Sequence, residues 1–333
     1  MENPFHYRNK AQYPLGVNKE NEPVVGIFAQ RSHEIIPMEK CLIQKPISEE
    51  IAKTILEFIK KNKISIYNEK TGKGLFRHIV IKVGVKTNEI MCILVINGNQ
   101  IPKETELVEM LIKKYPNIKT IIKNINTKNT NVILGLENIN IYGNGYIEDK
   151  LGEYKFKISP LSFYQVNPIQ AEKLYNIGVE SVKITSNDTV FDLYCGIGTI
   201  SLFIAKYAKK VYGVEIVEQA IKDAKQNAKI NNIENVQFIA GDTKIVLEDL
   251  IYKKGIIADI VIFDPPRKGL DNNSINNILK IKPKKIVYIS CNPATLIRDL
   301  ALFEKLYEVK TIIPVDMFPF TKHVECCALL CLK

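Results

Sequence analysis

One of the seven cysteines stands at the end of an apolar strand pattern instead of inside it. Residues 284–293 read Lys-Lys-Ile-Val-Tyr-Ile-Ser-Cys-Asn-Pro, so Cys291 follows a predicted strand, and Pro293 is typical of the first turn of a helix. A thiol beside a helix N-terminus is expected to have a lowered pKa and to react as the thiolate. We therefore interpret Cys291 as a candidate nucleophile.

The other cysteines favour structural roles. Cys326, Cys327 and Cys331 lie in a hydrophobic strand pattern and are expected to pack in a core, whereas Cys195 is expected to shape a loop. Their spacing contains no C-x-x-C pair and no Cys/His clamp. The sequence therefore predicts no metal site and no cysteine-held cluster.

A second group of residues has the pattern of a nucleotide-type cofactor loop. Residues 190–199 read Val-Phe-Asp-Leu-Tyr-Cys-Gly-Ile-Gly-Thr, in which Gly196 and Gly198 allow close approach of the backbone to a ligand. Glu215 ends the next predicted strand, at the spacing where an acid meets ribose hydroxyls. With only two glycines, the loop is closer to S-adenosylmethionine loops than to NAD loops.

Two further acids end predicted strands. Asp242 follows the third strand in Ala-Gly-Asp, where it either faces the adenosine end of a cofactor or caps the helix that starts at residue 243. Asp264 ends the fourth strand in Phe-Asp-Pro-Pro-Arg-Lys-Gly, and the two prolines stiffen the turn that fixes it. Asp264 is expected to line the cleft.

The second half of the chain has the rhythm of a parallel sheet with crossover helices. A closely spaced final pair of strands predicts an antiparallel hairpin at one edge. The fold class is thus α/β. A mostly parallel sheet that ends in such a hairpin resembles the Rossmann-like fold of S-adenosylmethionine methyltransferases, and we expect this domain at 156–333. The predicted strands are 189–194, 210–215, 236–240, 258–263, 285–290, 308–315 and 324–332.

Residues 1–155 predict a smaller α/β domain that handles the substrate. Apolar spacing predicts helices at about 48–62 and 103–115. The apolar runs that start at Arg77 and Ile90 are expected to pair as neighbouring strands.

Composition sets the broad class of protein. The 333 residues are 46% hydrophobic and 25% charged, which indicates a folded chain of about two domains. The net charge of +10 suits a polyanionic partner, although a general Lys, Ile and Asn bias explains it equally well. The odd number of cysteines, with no signal peptide or membrane-spanning run recognised, predicts a soluble cytoplasmic protein.

These residues together predict covalent methyl transfer to a pyrimidine. Carbon 5 of uracil is a weak nucleophile, and addition of a thiolate to C6 makes C5 carbanion-like. Cys291 suits this addition. The C5 proton must then leave, and Glu325 is the preferred base, with His323 as the alternative.

The motif series resembles the RNA uracil-C5 methyltransferases over nearly the whole chain. The second half carries the loop at 190–199, Asp-Pro-Pro-Arg-Lys-Gly, Ser-Cys-Asn-Pro-Ala-Thr and Met-Phe-Pro-Phe-Thr-Lys-His-Val-Glu. They are preceded by Phe-Tyr-Gln-Val-Asn at 163–167, and residues 7–12 and 129–135 are similar to the family's RNA-handling domain.

The resemblance implies roles for single residues and for partners. Cys291 would be the nucleophile and Glu325 the base. S-adenosyl-L-methionine would be the cofactor and 23S ribosomal RNA the first candidate substrate, with transfer RNA second and the enzyme a monomer. The implied cofactor contacts are Gln165, Tyr194, Glu215 and Asp264.

The sequence also departs from that family. Many members that act on ribosomal RNA begin with a β-barrel RNA-binding module and a four-cysteine iron-sulfur segment. Neither pattern is recognised here, so we expect this chain to lack the grip on RNA that those parts supply.

Three alternative functions fit the sequence less well than uracil methylation. A cytosine-C5 methyltransferase needs a cysteine in the proline motif after the fourth strand, and this motif has none. An amino-group methyltransferase places an aromatic residue where Arg267 stands. A non-catalytic RNA-binding protein that retains the fold predicts loss of Cys291, Glu325 or Asp264, and all three are present.

Two sets of residues are candidates for contacts to RNA. Phe163, Tyr164 and Phe320 are candidates for stacking on bases, although each also fits a core position. Candidates for phosphate contacts are Arg8, Lys10 and Arg77.

Overall fold

The computed structural model describes residues 1–30 and 32–333, which fall into two compact units. The first unit comprises Asn3–Lys150 and Ile158–Leu161. The second comprises Met1–Glu2, Leu151–Lys157 and Ser162–Lys333.

The first unit is built on a seven-stranded sheet with two helices. Its strands are β1 (Lys10–Val17), β2 (Pro23–Phe28), β3 (Ile35–Pro37), β4 (Phe76–Val83), β5 (Ile90–Ile96), β6 (Ile118–Ile125) and β7 (Glu137–Gly143). In space they follow the order β3-β2-β1-β4-β5-β6-β7. The helices are α1 (Pro46–Lys61) and α2 (Glu104–Lys114).

The predicted elements of this unit are confirmed, with one shifted start. Strands β4 and β5 pair antiparallel as expected, and α2 is the crossover between the parallel strands β5 and β6. Helix α1 begins at Pro46 and not near Ser48, because the proline occupies the first helical turn and Ser48 is buried without capping the helix. Its apolar stripe, including Ile51, Ile55 and Ile59, is part of the core.

Arg77 has a structural role, so its interpretation as a phosphate contact is wrong. The side chain is buried, and its guanidinium lies 4.2 Å from the centre of the Tyr67 ring. Nη1 donates to the carbonyl oxygens of Asn126 and Lys128 at 2.7 and 2.8 Å. These hydrogen bonds from the charged guanidinium hold the loop that follows β6.

His78 is a buried histidine without a polar partner. Neither ring nitrogen has a hydrogen-bond partner among residues 1–30 and 32–333, and the Phe28 ring lies edge-on at 6.2 Å. Burial, and next the charge of Arg77, lower the pKa of His78 from 6.5 to about 4. The ring is therefore neutral in the folded protein at neutral pH.

We expect acid to destabilise the protein through His78. Between pH 6.5 and about 4 the unfolded chain binds a proton that the folded chain excludes, so stability falls as the pH falls through this window. The contribution is roughly 3 kcal/mol in full. Urea unfolding gives the free energy of unfolding at pH 7.5 and at pH 5. His78→Phe should lose less of this free energy than the parent between the two pH values, and an equal loss would contradict this account.

The second unit is a mostly parallel sheet covered by helices. Its strands are β10 (Thr189–Leu193), β11 (Lys210–Glu215), β12 (Val236–Ala240), β13 (Ile260–Phe263), β14 (Lys285–Ser290), β15 (Tyr307–Val315) and β16 (Glu325–Leu332). Its helices are α3 (Pro168–Val182), α4 (Thr199–Ala205), α5 (Glu218–Ile230), α6 (Thr243–Glu248), α7 (Asn272–Ile281) and α8 (Pro293–Phe303), and Asp249–Lys253 form a π-helical turn. A separate two-stranded sheet contains β8 (Ile147–Leu151) and β9 (Tyr154–Ile158).

The strand order of this sheet is β12-β11-β10-β13-β14-β16-β15. The first five of these strands run parallel, and β16 pairs antiparallel with both β14 and β15. The predicted fold class and edge hairpin are therefore confirmed. Strands β13 and β14 are almost entirely buried, which explains their continuous apolar sequences.

Strand β13 begins two residues later than the sequence indicates. Asp259, inside the predicted strand 258–263, accepts a hydrogen bond from the backbone of Thr189 at 2.9 Å and pairs with Lys284 at 2.9 Å. The Asp259 side chain thus links the start of β10 to the residue before β14 at the amino end of the sheet.

Candidate active site

One edge of the second unit's sheet carries the predicted site residues. The parallel strands β10 to β14 end at this edge, and β16 begins there because it runs antiparallel to β14. Read from β12 across the sheet, the residues at the strand ends are Asp242, Glu215, the loop Tyr194–Gly198, Asp264, Cys291 and Glu325. Ligands of open α/β sheets bind at this edge.

The loop after β10 is tied to the end of β11. Glu215 accepts hydrogen bonds from the backbone N–H groups of Gly196 at 3.2 Å and Val217 at 2.9 Å. Gly196 has a φ of +55°, and no atom lies within 4 Å of where its β-carbon would be, so the loop is open on that side. At Gly198 a β-carbon would lie 2.6 Å from the Phe238 ring, which demands glycine.

Asp242 performs the capping role that the sequence left open. Its side chain accepts a hydrogen bond from the backbone N–H of Lys244 at 3.0 Å, at the start of α6. Its charge also acts on Tyr194, whose hydroxyl interacts with Ser274 and Thr243 and whose pKa burial raises. Asp242 therefore caps a helix beside the loop, and a cofactor contact is compatible with this.

Gln165 reaches the same edge from outside the strands. It precedes α3, which begins at Pro168, and its Nε2 donates to Asp264 Oδ2 at 3.4 Å. No strand pattern marks Gln165, so only its motif identifies it. The contact places Gln165 beside an acid of the sheet edge.

Cys291 and Glu325 meet through strand register. Ser290 is paired with Cys326, so one step further along the antiparallel ladder Cys291 lies opposite Glu325. Asp264 follows Phe263, which is in register with Tyr288 on β14, and this places Asp264 near the end of β14 as well. Cys291 is half-buried, and Glu325 is 5% exposed.

The thiol pKa is shifted in the direction opposite to the prediction. Burial raises the pKa of Cys291 first, and the negative charges of Glu325 and Asp264 raise it further, opposed by Arg267. Burial, ahead of the two carboxylates on the neighbouring strands, thus outweighs any lowering of the thiol pKa by the N-terminus of α8. The expectation of a lowered thiol pKa is therefore wrong for the protein alone.

The carboxyl groups are shifted too. Burial raises the pKa of Glu325 to about 7, against the opposing charge of Arg267. Burial, and next the charge of Glu325, raise the pKa of Asp264 to about 8. Near neutral pH these groups exchange protons readily, which suits acid–base work, and a positive charge bound beside them is favoured.

Two residues near this edge have roles that the sequence analysis did not identify. Asp192 is fully buried, binds the Ser201 hydroxyl at 2.5 Å, and has one carboxylate oxygen without a hydrogen-bond partner among the described residues. Tyr175 of α3 contacts the Thr199 hydroxyl at 3.4 Å and interacts with the Gln165 side chain. No local pattern distinguishes such positions, because long-range packing creates them.

Two classes of feature are not found in the described part of the chain. No group of three or more His, Cys, Asp or Glu side chains there is arranged to hold a metal ion. No helix in residues 1–30 and 32–333 is long and apolar enough to cross a membrane.

A parallel sheet with a C-terminal antiparallel hairpin, a glycine loop after the first strand and an acid after the second defines the methyltransferase class that uses S-adenosylmethionine. Comparison with known proteins identifies the family within this class. The model of the tRNA (uracil-5-)-methyltransferase family matches residues 2–333. The chain belongs to this family, and is therefore an S-adenosylmethionine-dependent RNA methyltransferase.

Individual relatives agree with this assignment. An uncharacterized RNA methyltransferase of Caldanaerobacter subterraneus subsp. tengcongensis is 50% identical over 331 residues, which cover 99% of this chain and 73% of the relative. Another from Clostridium acetobutylicum is 50% identical over 331 residues, covering 99% and 72%. The crystal structure of the Pyrococcus abyssi tRNA (uracil-54, C5)-methyltransferase with S-adenosyl-L-homocysteine matches with a TM-score of 0.80 and 29% identity, covering 98% of this chain and 76% of that one.

We expect neutralisation of Glu325 to make Cys291 more reactive. Because the carboxylate raises the thiol pKa, Glu325→Gln should increase the thiolate fraction at pH 8 and accelerate alkylation by iodoacetamide roughly three- to tenfold. Peptide mass spectrometry measures the rate at Cys291, with Cys331 at the other end of β16 as internal reference. The Glu109→Gln variant is the control, because Glu109 is exposed on α2 of the first unit. An unchanged rate in Glu325→Gln would refute the electrostatic coupling.

Proposed function

We propose that this chain transfers a methyl group to C5 of a uridine in RNA through a covalent adduct with Cys291, and that 23S ribosomal RNA is its first candidate substrate. The single observation that carries the proposal is the meeting of Cys291, Glu325 and Asp264 at one edge of the sheet. A thiol and a base with a pKa near neutrality are the two groups that the reaction requires.

The residues of this edge fit S-adenosylmethionine. The open side of Gly196 leaves room for a ligand against the loop backbone, with Gly198 completing the turn. Glu215 lies beside this loop, where its carboxylate can accept from ribose hydroxyls, and Tyr194 and Asp242 flank the same turn. One oxygen of buried Asp192 has no hydrogen-bond partner among the described residues, and a cationic ligand nearby would favour the ionised form of this carboxyl group.

We assign Gln165 and Asp264 to the reacting end of the cofactor. Their mutual hydrogen bond holds both side chains at the edge, between the loop and Cys291. When bound, the cofactor supplies an electrophilic methyl group on a positively charged sulfur. The carboxyl groups nearby favour that charge, and its presence would also ease ionisation of Cys291.

The first step is addition of the Cys291 thiolate to C6 of the uracil. A C–S bond forms, and the electron pair of the C5=C6 bond moves to C5 and, by resonance, to O4. Carbon 5 is then nucleophilic enough to take the methyl group. Because the thiol pKa is raised, ionisation of Cys291 contributes to the barrier of this step.

The last step is removal of the C5 proton. Glu325 in its ionised form takes this proton, the C5=C6 double bond re-forms, and the thiolate of Cys291 leaves C6. Cys291 and Glu325 lie opposite each other at the end of the β14–β16 ladder. This arrangement suits two groups that act on adjacent carbons of the uracil ring. His323, the alternative base, is directed toward Arg267, with 3.4 Å between Nε2 and Nη2, which favours Glu325.

We further propose a division of labour between the two parts of the chain. Residues 156–333 would carry the cofactor and the chemistry, because all nine assigned residues lie there. Residues 1–155 would handle RNA.

We expect Cys291 and Glu325 variants to fail at different steps. Cys291→Ala should lose methyl transfer by at least about a thousandfold, because no adduct forms. Glu325→Gln should instead accumulate a covalent protein–RNA adduct, seen as a denaturation-resistant band on gels with labelled RNA. Cys331→Ala is the matched cysteine control. Wild-type activity in Cys291→Ala would rule out covalent catalysis, and full turnover in Glu325→Gln would rule out Glu325 as the base.

Transfer RNA is the second candidate substrate. The match to a solved tRNA (uracil-54, C5)-methyltransferase over 98% of this chain supports it. The family resemblance ranks ribosomal RNA first, but no single motif of the chain distinguishes the two RNA classes. Both candidates share the reaction and the site and differ only in the RNA that is bound.

We expect one RNA class to become labelled. Incubation with radiolabelled S-adenosylmethionine and separate ribosomal and transfer RNA, each from a strain lacking 5-methyluridine, should give label in 23S RNA as 5-methyluridine. Label in transfer RNA alone would replace the first candidate by the second. Label in cytidine or adenosine would exclude uracil specificity altogether.

A further inference from the structure

Two bulky aromatic residues have a backbone conformation that L-amino acids avoid. Tyr194 has a φ of +66° and Phe320 a φ of +63°. The other non-glycine residues with positive φ in the described chain are His, Asn and Lys residues. Strain of this kind at bulky side chains concentrates at functional sites. Tyr194 lies in the cofactor loop, whereas the proposed function leaves Phe320 unexplained.

Phe320 occupies a position where a turn normally has glycine. The backbone N–H of Thr321 donates to the carbonyl of Phe318 at 3.1 Å, closing a four-residue turn with Pro319 second and Phe320 third. A turn with proline second and positive φ third is of type II, which favours glycine at the third position. The Thr321 hydroxyl donates to the same carbonyl at 2.7 Å. The turn is therefore held in place despite the phenylalanine.

This turn presents an aromatic ring to solvent. Phe320 is 66% exposed, while Pro319 and Met317 beside it are buried. Phe318 is half-buried, with its ring edge-on to His323 at 6.4 Å. Hydrophobic burial thus fixes the base of the turn, while most of the Phe320 side-chain surface stays accessible.

Exposed cations lie on the two segments that come together where Arg267 approaches His323. Arg267 and Lys268 of the Asp-Pro-Pro-Arg-Lys motif and Lys322 of the turn segment are all exposed. Arg267 approaches His323, and its charge acts on both Cys291 and Glu325. An exposed aromatic ring on a segment that carries Lys322 and contacts Arg267 through His323 has the two components of a single-stranded nucleic-acid site, a stacking surface and cations.

We propose that Phe320, Arg267, Lys268 and Lys322 form a stacking patch for an unpaired RNA base beside the uridine that reaches Cys291. The ring would stack on the base, and the cations would hold the adjoining phosphates. The inference deepens the proposed function and rests on the placement of the target uridine at Cys291. Of the aromatic candidates, Tyr164 is excluded because it is buried 6.2 Å from Phe156, centre to centre.

Equilibrium binding of RNA tests the patch directly. Fluorescence anisotropy measures the Kd of the full chain for a labelled oligouridine of about twelve nucleotides, a length that spans a typical single-strand site. We compare the parent with Phe320→Ala, Phe320→Gly and Tyr252→Ala. Tyr252 is a matched control because it is 58% exposed in the π-helical turn Asp249–Lys253, which leads toward the amino end of β13.

Both Phe320 variants should weaken oligouridine binding about tenfold, whereas Tyr252→Ala should bind like the parent. Phe320→Gly should also melt at the same or a higher temperature, since glycine fits the turn, and the Kd for S-adenosylhomocysteine should not change. Absence of oligouridine binding by the parent, or equal effects of Phe320→Ala and Tyr252→Ala, would overturn the proposal. A lowered melting temperature of Phe320→Gly would also overturn it, because the side chain would then be structural.

The binding assay separates this inference from the proposed chemistry. It contains no methyl transfer, so a failure of the covalent mechanism at Cys291 would leave its outcome unchanged. Conversely, unchanged oligouridine binding in Phe320→Ala with an adduct trapped in Glu325→Gln would remove the patch and retain the proposed function.

Discussion

The site depends on one antiparallel strand in an otherwise parallel sheet. Strand β16 lies beside β14 and runs against it, so its first residue arrives at the edge where the parallel strands end. A parallel strand in that place would have presented its first residue at the opposite edge. The hairpin of β15 and β16 is thus the constraint that brings Glu325 to Cys291.

The same edge gathers three acidic side chains in a buried place. Glu325, Asp264 and Asp192 all have raised pKa values, chiefly because burial penalises their ionised forms. Arg267 is the opposing cation that acts on Glu325 and Cys291. Such a site favours a positively charged ligand over a neutral one, which is consistent with the sulfonium cofactor of the family.

Backbone strain occurs at the same edge of the sheet. Tyr194 and Phe320, which differ widely in sequence position, both have positive φ and both lie in segments that follow or precede strands at the carboxyl edge. Elsewhere in the described chain the residues with positive φ are glycine, Asn, Lys or His. The rigid sheet and its buried core can hold these strained loops because each is anchored at both ends.

The sequence by itself determined the sheet, the glycine loop and the residues at the strand ends, because these depend on local patterns of apolar runs followed by Gly, Pro or acid. Only the tertiary structure decided that the Cys291 pKa is raised, that Arg77 anchors a loop, and that Asp242 caps a helix. Each of these depends on burial and on charges or backbone groups placed by folding, several of them from distant segments. Local pattern marks where a strand ends, but the partners that set a group's chemistry are chosen by the register of neighbouring strands.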